Sequence, residues 1–91
     1  MLYSLKKMNR KQRIDKILSK KFDNYFLKII DNSNLHKGHN GFSGSNETHI
    51  KIILTKKGTI TSNRLNIHRL INRLLEEEFK NGLHSLEIKI N

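Results

Sequence analysis

Apolar side chains recur at helical spacing in two segments of the chain. Within residues 9–22 they are spaced i, i+3, i+4 and i+8, which predicts a helix with one buried stripe and with Lys and Arg on its other faces. Residues 64–81 show a similar spacing and predict the longest helix. The first stripe consists of Ile14, Ile17, Leu18 and Phe22, and the second consists of Ile67, Ile71, Leu74, Leu75 and Phe79.

Polar residues mark the ends and the outer face of the long predicted helix. Thr61, Ser62 and Asn63 are all acceptable N-cap residues, and Gly82 stands where a left-handed C-terminal cap is expected. The three successive glutamates at positions 76–78 are typical of a solvent-exposed helix face. We therefore expect this acidic ridge to contact water.

Three further segments have the character of strands. Tyr25–Asp31 is rich in aromatic and β-branched residues, whereas residues 48–55 and 84–90 alternate between apolar and polar side chains. Residues 56–63 predict a turn around Gly58. Residues 32–47 are polar and glycine-rich, and a loop of this length in a small domain is usually functional or mobile.

The order of elements is helix, strand, strand, helix, strand, which predicts an α+β fold with helices on one face of a three-stranded mixed sheet. The first two strands should be antiparallel, and the third should return parallel to the second through the long helix. This topology brings the start of the third strand to the same edge as the long loop. Four histidines should therefore gather at one end of the sheet, with His68 at the opposite end; these four are His36, His39, His49 and His84.

The composition restricts the chemistry of this basic, 91-residue chain. It contains no cysteine, which excludes disulfides, a thiol nucleophile and an iron–sulfur cluster held by this chain alone. No apolar run reaches the roughly 20 residues of a membrane-spanning helix, so we expect a cytoplasmic protein. The net charge of +10 favours either a polyanionic partner or an ordinary surface made basic by compositional bias.

Much of the positive charge lies at the start of the chain, where an arginine- and lysine-rich, acid-poor segment could also be a transit peptide. That alternative is weakened because the segment merges with the first predicted helix. Met8 is a second plausible start, so we assign residues 1–8 to an N-terminal extension, disordered or part of the first helix, and residues 9–91 to a single domain.

The histidines admit both functional and structural interpretations. His36 and His39 have a spacing that can chelate a metal, but loop histidines are more often simply exposed. His84 could be a half-buried edge residue, His49 a surface residue, and His68 a structural part of the helix stripe. A metal site made only of histidines, without any partner protein, stays open as one alternative. No nucleophile–base set and no paired carboxylates emerge, so we do not expect an enzyme.

Several short motifs, in their order and spacing, closely resemble the BolA family. They are Gly38-His39 in the loop, Glu47-Thr48-His49 at the start of the second strand, His68-Arg69 in the long helix, and Leu83-His84-Ser85-Leu86 at the start of the third. The resemblance covers residues 21–90, most of the chain. It implies a class II KH-like fold, which agrees with the predicted order of elements.

The resemblance also implies a partner and a cofactor. Family members pair with monothiol glutaredoxins and share a 2Fe–2S cluster that is bridged by a glutaredoxin cysteine, a glutathione thiol and BolA ligands. The family's C-terminal histidine matches His84, and its loop ligand matches His39, with His36 as a possible alternative. By itself the chain is then expected to carry no cofactor, and to be a monomer or a weak homodimer.

A second function implied by the resemblance is nucleic-acid binding, because some members regulate transcription. KH domains grip the nucleic-acid backbone with a G-x-x-G between two helices, whereas here the sequence Gly41-Phe42-Ser43-Gly44 falls in the wrong loop. The family's aromatic-x-Gly segment and the arginine before its helix histidine are also replaced, which weakens this role. Candidate contacts to DNA or RNA phosphates are Lys56, Lys57, Arg64 and Arg69.

Overall fold

A computed structural model describes residues 8–32 and 48–91 of the chain. The loop histidines His36 and His39, the glycines of that loop and the first seven residues lie outside the described residues. The elements are α1 (Arg10–Lys21), β1 (Tyr25–Asp31), β2 (His49–Lys56), α2 (Arg64–Leu74), α3 (Glu76–Lys80) and β3 (Ser85–Ile90).

The strands form one sheet in the order β1-β2-β3. β1 and β2 are antiparallel, with Ile29 opposite Ile52, and β2 and β3 are parallel, with Ile52 opposite Ile88. Both the antiparallel and the parallel pairing were predicted, and both are confirmed. Parallel pairing places the first residues of β2 and β3 side by side at one end of the sheet.

The hydrophobic core lies between one face of the sheet and the helices. Ile50, Ile52 and Leu54 of β2 are at most 2% exposed and meet Ile14 and Leu18 of α1, which are fully buried. Burial of each such side chain is worth about 1.5–3 kcal/mol. The core therefore joins α1, the central strand and α2 into a single folded unit.

The ends of α1 follow from local sequence. Asn9 is the N-cap: its side chain accepts a hydrogen bond from the backbone N–H of Gln12, and the Gln12 side chain accepts one from the Asn9 N–H, which makes a capping box. The helix ends at Lys21, and the Phe22 N–H still donates to the Leu18 carbonyl. The predicted helix over residues 9–22 is thus confirmed to within its caps.

The long predicted helix is divided in two at Leu75. Asn63 caps α2 as expected, but Leu75 has φ −101° and ψ 15°, outside the helical region, and α3 follows as a separate short helix. Neither proline nor glycine stands at the break. Leucine and glutamate both favour helices, so local helix propensity does not account for the break at Leu75, which is 1% exposed.

A buried charge cluster, formed by Arg10, Arg13 and Glu78, joins α1 to α3. Arg13 binds the Glu78 carboxylate through Nε and Nη2 at 2.7 and 2.9 Å, and Arg10 Nε donates to it at 2.8 Å. Glu78 is only 6% exposed. The prediction of a solvated ridge at positions 76–78 is therefore wrong for Glu78, although Glu76 and Glu77 are exposed.

The same cluster corrects the prediction that the basic residues of α1 all face outwards. Arg10 is 8% exposed, and its Nη2 also donates to the Asn81 carbonyl at 2.7 Å. Buried charges require such partners because an unpaired ion loses its hydration without compensation. Two of the cations that make the start of the chain basic thus serve to hold the helices together.

Gly82 ends the helical region as predicted. Its φ is +114°, a conformation that side-chain-bearing residues rarely adopt, and the Leu83 N–H donates to the Glu78 carbonyl across the turn. A Cβ added at Gly82 would also lie 3.5 Å from the Arg10 guanidinium. The charge cluster and the glycine cap therefore set together where the chain enters β3.

Candidate functional site: the histidine edge

Two of the predicted histidines meet where β2 and β3 begin. His49 is the first residue of β2 and lies opposite Ser85, so His84 stands directly beside it. The two imidazole rings are 6.1 Å apart between centroids and are inclined at 78° to each other. We call this pair, with Thr48, the histidine edge.

Thr48 anchors both histidines through its backbone and its side chain. Its carbonyl accepts hydrogen bonds from the backbone N–H groups of His84 at 2.8 Å and of Ser85 at 3.1 Å. Its hydroxyl lies 2.9 Å from Nδ1 of His49. Thr48 is itself only 6% exposed, so a buried residue determines the positions of two partly or fully accessible rings.

The exposure of each histidine distinguishes the interpretations left open by the sequence. His84 is exposed rather than half-buried, so the interpretation of a buried edge histidine is wrong. Its side chain can be reached by a second molecule. His49 is half-exposed, on the face of the sheet opposite to Ile50 and Ile52. That orientation away from the core was predicted.

The predicted meeting of four histidines is confirmed for His49 and His84. His36 and His39 fall outside the described residues, so their part in the site stays a prediction. His68, as predicted, is at the other end of the sheet: it lines a groove with the last residues of β3, from Glu87 to Ile90, and with Asn91, which follows the strand. The prediction that His68 lies away from the histidine edge is therefore confirmed.

The segment between α3 and β3 fixes the backbone on the other side of His84. Leu83 is 3% exposed and packs in the core, and the preceding Asn81 carbonyl is held by Arg10. The buried charge cluster is therefore linked to the histidine edge through only three residues of backbone, 81–83. Hydrogen bonds from Arg13 and Arg10 hold the pKa of the Glu78 carboxyl in this cluster below its usual 4.5, whereas burial acts in the opposite direction.

The candidate nucleic-acid residues lie at or towards the opposite end of the sheet. The Lys57 N–H donates to the Asn24 carbonyl, and its ammonium lies 5.1 Å from the ring centre of Phe26, which is 63% exposed. Arg64 begins α2 and lines, with His68 and the end of β3, an open groove of about 450 Å³. Lys56 is half-exposed and Arg69 is exposed.

A strand length separates this basic end from the histidine edge. At about 3.3 Å per residue, the seven steps from His49 to Lys56 correspond to roughly 23 Å. A ligand bound by one end need not touch the other. Mutations at the two ends can therefore distinguish the two functions.

Among the described residues the histidine edge offers two imidazoles, so a metal group held there needs further ligands from water or from another molecule. Among residues 8–32 and 48–91, no group of three or more His, Asp or Glu side chains is placed to hold a metal ion. The chain has no cysteine, so any thiolate must come from another molecule. An exposed imidazole such as His84 can supply one neutral nitrogen ligand.

Comparison with known proteins then decides the family. The family model described as BolA-like protein matches residues 18–91, from within α1 to the end of the chain. The chain belongs to the BolA family. The matched residues include both His49 and His84, and every described element except the first part of α1.

One relative of this BolA chain is named by its location and another by its function. The chloroplastic protein BOLA1 of Arabidopsis thaliana is 39% identical over 82 residues, which cover 88% of this chain and 51% of that protein. The DNA-binding transcriptional regulator BolA of Vibrio cholerae is 33% identical over 75 residues, covering 82% of this chain and 67% of that one. The chain thus spans about half the length of the chloroplastic relative.

The fold agrees with a solved BolA structure. The BolA domain of SufE1 from Arabidopsis thaliana superposes with a TM-score of 0.73 at 33% identity, over 92% of both chains. The predicted class II KH-like α+β fold is confirmed. The junction of α2 and α3 reads Leu74-Leu75-Glu76 and so lacks the glycine loop with which KH domains hold nucleic acid.

Sequence reasoning did not identify the charge cluster or the role of Thr48. The signal for the cluster was present but ambiguous, because Arg10 and Arg13 have i, i+3 spacing and so share one face of α1. Glu78 stands at i+7 from Ile71 and at i+3 from Leu75, so the helical period places it on the apolar stripe, a signal that the prediction of a solvated ridge did not use. Thr48 was noted only as part of a family motif.

Within the described residues, no helix is long and apolar enough to cross a lipid bilayer. One relative is named as chloroplastic. The expected cytoplasmic location therefore stays a prediction.

Proposed function

We propose that this chain binds a monothiol glutaredoxin and supplies histidine ligands to a 2Fe–2S cluster held jointly with the glutaredoxin cysteine and glutathione. His84 is the ligand from the start of β3, and His39 is the ligand from the loop, with His36 as its alternative. The role is a non-enzymatic one in iron–sulfur trafficking or in iron and redox sensing.

The observation that carries this proposal is the placement of His84. Its ring is exposed, whereas its backbone is held by the Thr48 carbonyl and the adjoining Leu83 is buried. A ligand that is fixed in position loses little conformational entropy when a partner binds. Because the chain has no thiol, the partner must supply the remaining ligands.

Histidine ligation defines what this chain contributes chemically. A cluster with imidazole in place of thiolate has a higher reduction potential than one held by thiolates alone. Thr48 maintains the direction of His84 through the backbone hydrogen bond. Arg10 and Arg13 are engaged with Glu78, so the docking surface on α1 consists of its exposed residues, such as Lys16 and Lys20.

The test is anaerobic reconstitution of the chain with a monothiol glutaredoxin, glutathione, iron and sulfide. Visible circular dichroism reports the ligand environment of the cluster, and size-exclusion chromatography reports the assembly. The matched variants are His84→Ala and His68→Ala, which remove one imidazole from opposite ends of the same sheet. We expect a coloured heterodimer whose visible spectrum changes in His84→Ala and is unchanged in His68→Ala.

A mixed cluster whose spectrum is identical in the wild type and in His84→Ala would contradict the assignment of His84. Failure to form any coloured heterodimer would contradict the function itself. The two results are separable because size exclusion detects the heterodimer independently of the cluster spectrum.

Nucleic-acid binding is the second candidate function. It is favoured by the basic end of the sheet, where Lys57 lies over the exposed Phe26 ring and Arg64 lines a groove. Relatives are named DNA-binding transcriptional regulator, as in Vibrio cholerae. In this chain the role would be carried by Lys56, Lys57, Arg64 and Arg69 and would not require His39 or His84.

A further inference from the structure

The ring of His49 has no role in the function proposed above, although it is the nearest imidazole to His84 among the described residues. The two rings are 6.1 Å apart between centroids. Their backbones are also joined, because Thr48, which directly precedes His49, accepts the hydrogen bond of the His84 N–H. Two imidazoles thus stand at neighbouring positions of paired strands on a common backbone frame.

This separation is within the reach of one metal ion. With metal–nitrogen bonds of about 2.0–2.1 Å, two imidazoles on the same ion have ring centres at most about 6.4 Å apart. A tetrahedral angle at zinc corresponds to about 5.2 Å between the centres. A side-chain rotation that brings the rings together by about 1 Å would therefore suffice, and the exposure of His84 leaves room for it.

The contact of His49 with Thr48 has the form that metal-binding histidines usually show. Such histidines donate the N–H of one ring nitrogen to an oxygen atom, which fixes the tautomer and leaves the other nitrogen as the ligand. Here Nδ1 of His49 lies 2.9 Å from the hydroxyl of the buried Thr48. This contact allows Nδ1–H to donate to the hydroxyl, and in that tautomer Nε2 would be the nitrogen that a metal ion binds.

We propose that His49 and His84 together bind one divalent cation of borderline softness, such as zinc, in the chain without any partner protein. The inference goes beyond the proposed function, since it requires neither glutaredoxin nor a cluster and adds His49 as a ligand. Water completes the coordination, because the described residues hold no third carboxylate or imidazole in place. Nitrogen ligands select zinc, nickel or copper over magnesium and calcium.

The proposal connects two states of the chain through His84. A cation held by His49 and His84 occupies the nitrogen that the shared cluster requires. The isolated chain would then release the cation when it enters the complex with glutaredoxin. His49 thereby serves the chain alone, and His84 serves both states.

The test is calorimetric titration of the isolated chain with zinc ion in a His36→Ala/His39→Ala background, which removes the two loop histidines. Into this background we introduce His49→Ala, His84→Ala or, as a matched control, His68→Ala. We expect binding in the background and in the control, and a loss of affinity of at least about tenfold in each of the other two, since even an outer hydrogen-bond partner is worth that much.

A second measurement does not depend on how the variants fold. Substoichiometric copper ion added to the unmodified, isotope-labelled chain should broaden the backbone amide signals around Thr48, His49 and Ser85. Signals around His68, at the far end of the sheet, should remain sharp.

Absence of zinc binding in the background would overturn the proposal, as would retention of affinity in His49→Ala. Broadening centred on His68 instead of the histidine edge would also overturn it. These outcomes are distinct from failure of the proposed function, because no glutaredoxin or iron is present in either measurement.

Discussion

The charge cluster and the histidine edge are two groups of polar side chains with opposite relations to water. Arg10, Arg13 and Glu78 meet between α1 and α3, where Glu78 is 6% exposed and its carboxylate accepts three hydrogen bonds from the two arginines. His84 is exposed, and His49 is half-exposed. The charge cluster forms its hydrogen bonds inside the fold, whereas the histidine edge presents ring nitrogens at the surface.

The difference shows that charge alone does not identify a functional surface. The positive charge of α1 contributed to the expectation of a polyanionic partner, yet its two arginines are structural because a buried carboxylate must be paired. Side chains that stay in contact with water need no such compensation, so they can be retained for binding. Substitutions can therefore alter one group while leaving the other intact.

The largest effect is expected from Glu78→Gln, which leaves the two arginines without their counter-ion. Breaking a buried ion pair in this way should lower the free energy of unfolding by about 3 kcal/mol at neutral pH. Chemical denaturation measures this change in the free energy of unfolding. Glu77→Gln is the matched control, because Glu77 is exposed and its contact with Lys80 is 3.5 Å long. Equal effects of the two substitutions would show that the charge cluster is not structural.

Acidification should reduce the difference in the free energy of unfolding between the wild type and Glu78→Gln. The arginine hydrogen bonds lower the pKa of Glu78 in the folded state below 4.5, so the unfolded chain takes up this proton first as the pH falls. The stabilisation is present above pH 4.5 and is lost as the pH falls through the folded-state pKa. Chemical denaturation at several pH values between 7 and 3 measures this difference in stability. A difference that increases in acid would contradict the prediction.

Thr48→Val tests the buried member of the histidine edge, whose hydroxyl lies 2.9 Å from Nδ1 of His49. Loss of the hydroxyl should cost about 1 kcal/mol of stability. It should also weaken zinc binding by the isolated chain about tenfold, as expected for the hydrogen-bond partner of a ligand. Thr55→Val, at an exposed position of the same strand, is the control. Unchanged zinc affinity in Thr48→Val would show that the hydroxyl serves the fold alone.

The smallest effect on stability is expected at the basic end. Arg64→Ala removes an exposed cation from the start of α2 and should change the free energy of unfolding by less than about 0.5 kcal/mol. If the chain binds nucleic acid there, the slope of log affinity against log salt should fall by about 0.7–0.9. Lys80→Ala, an exposed cation on α3, should leave this slope unchanged. Equal slopes in all three proteins would exclude Arg64 from the interface.

Several features of the fold and site were predictable because they depend on local or topological rules. Alternation along β2 and helical spacing in α1 gave both elements to within two residues, Gly82 was recognised as a cap, and Asn63 was one of three N-cap candidates. The proximity of His49 and His84 followed from parallel pairing of their strands. The position of His39 rests on the family resemblance and stays a prediction.

By itself, the sequence determined the order and direction of the strands, the identity of the core stripes and the family, since each depends on periodicity, caps or motif spacing. The break at Leu75, the burial of Glu78 and the exposure of His84 were decided only by the tertiary structure. The physical reason is that identical side chains in one run differ in energy only through their neighbours. Glu78 is buried, and Glu77 is not, because Arg10 and Arg13 from a distant part of the chain meet its carboxylate.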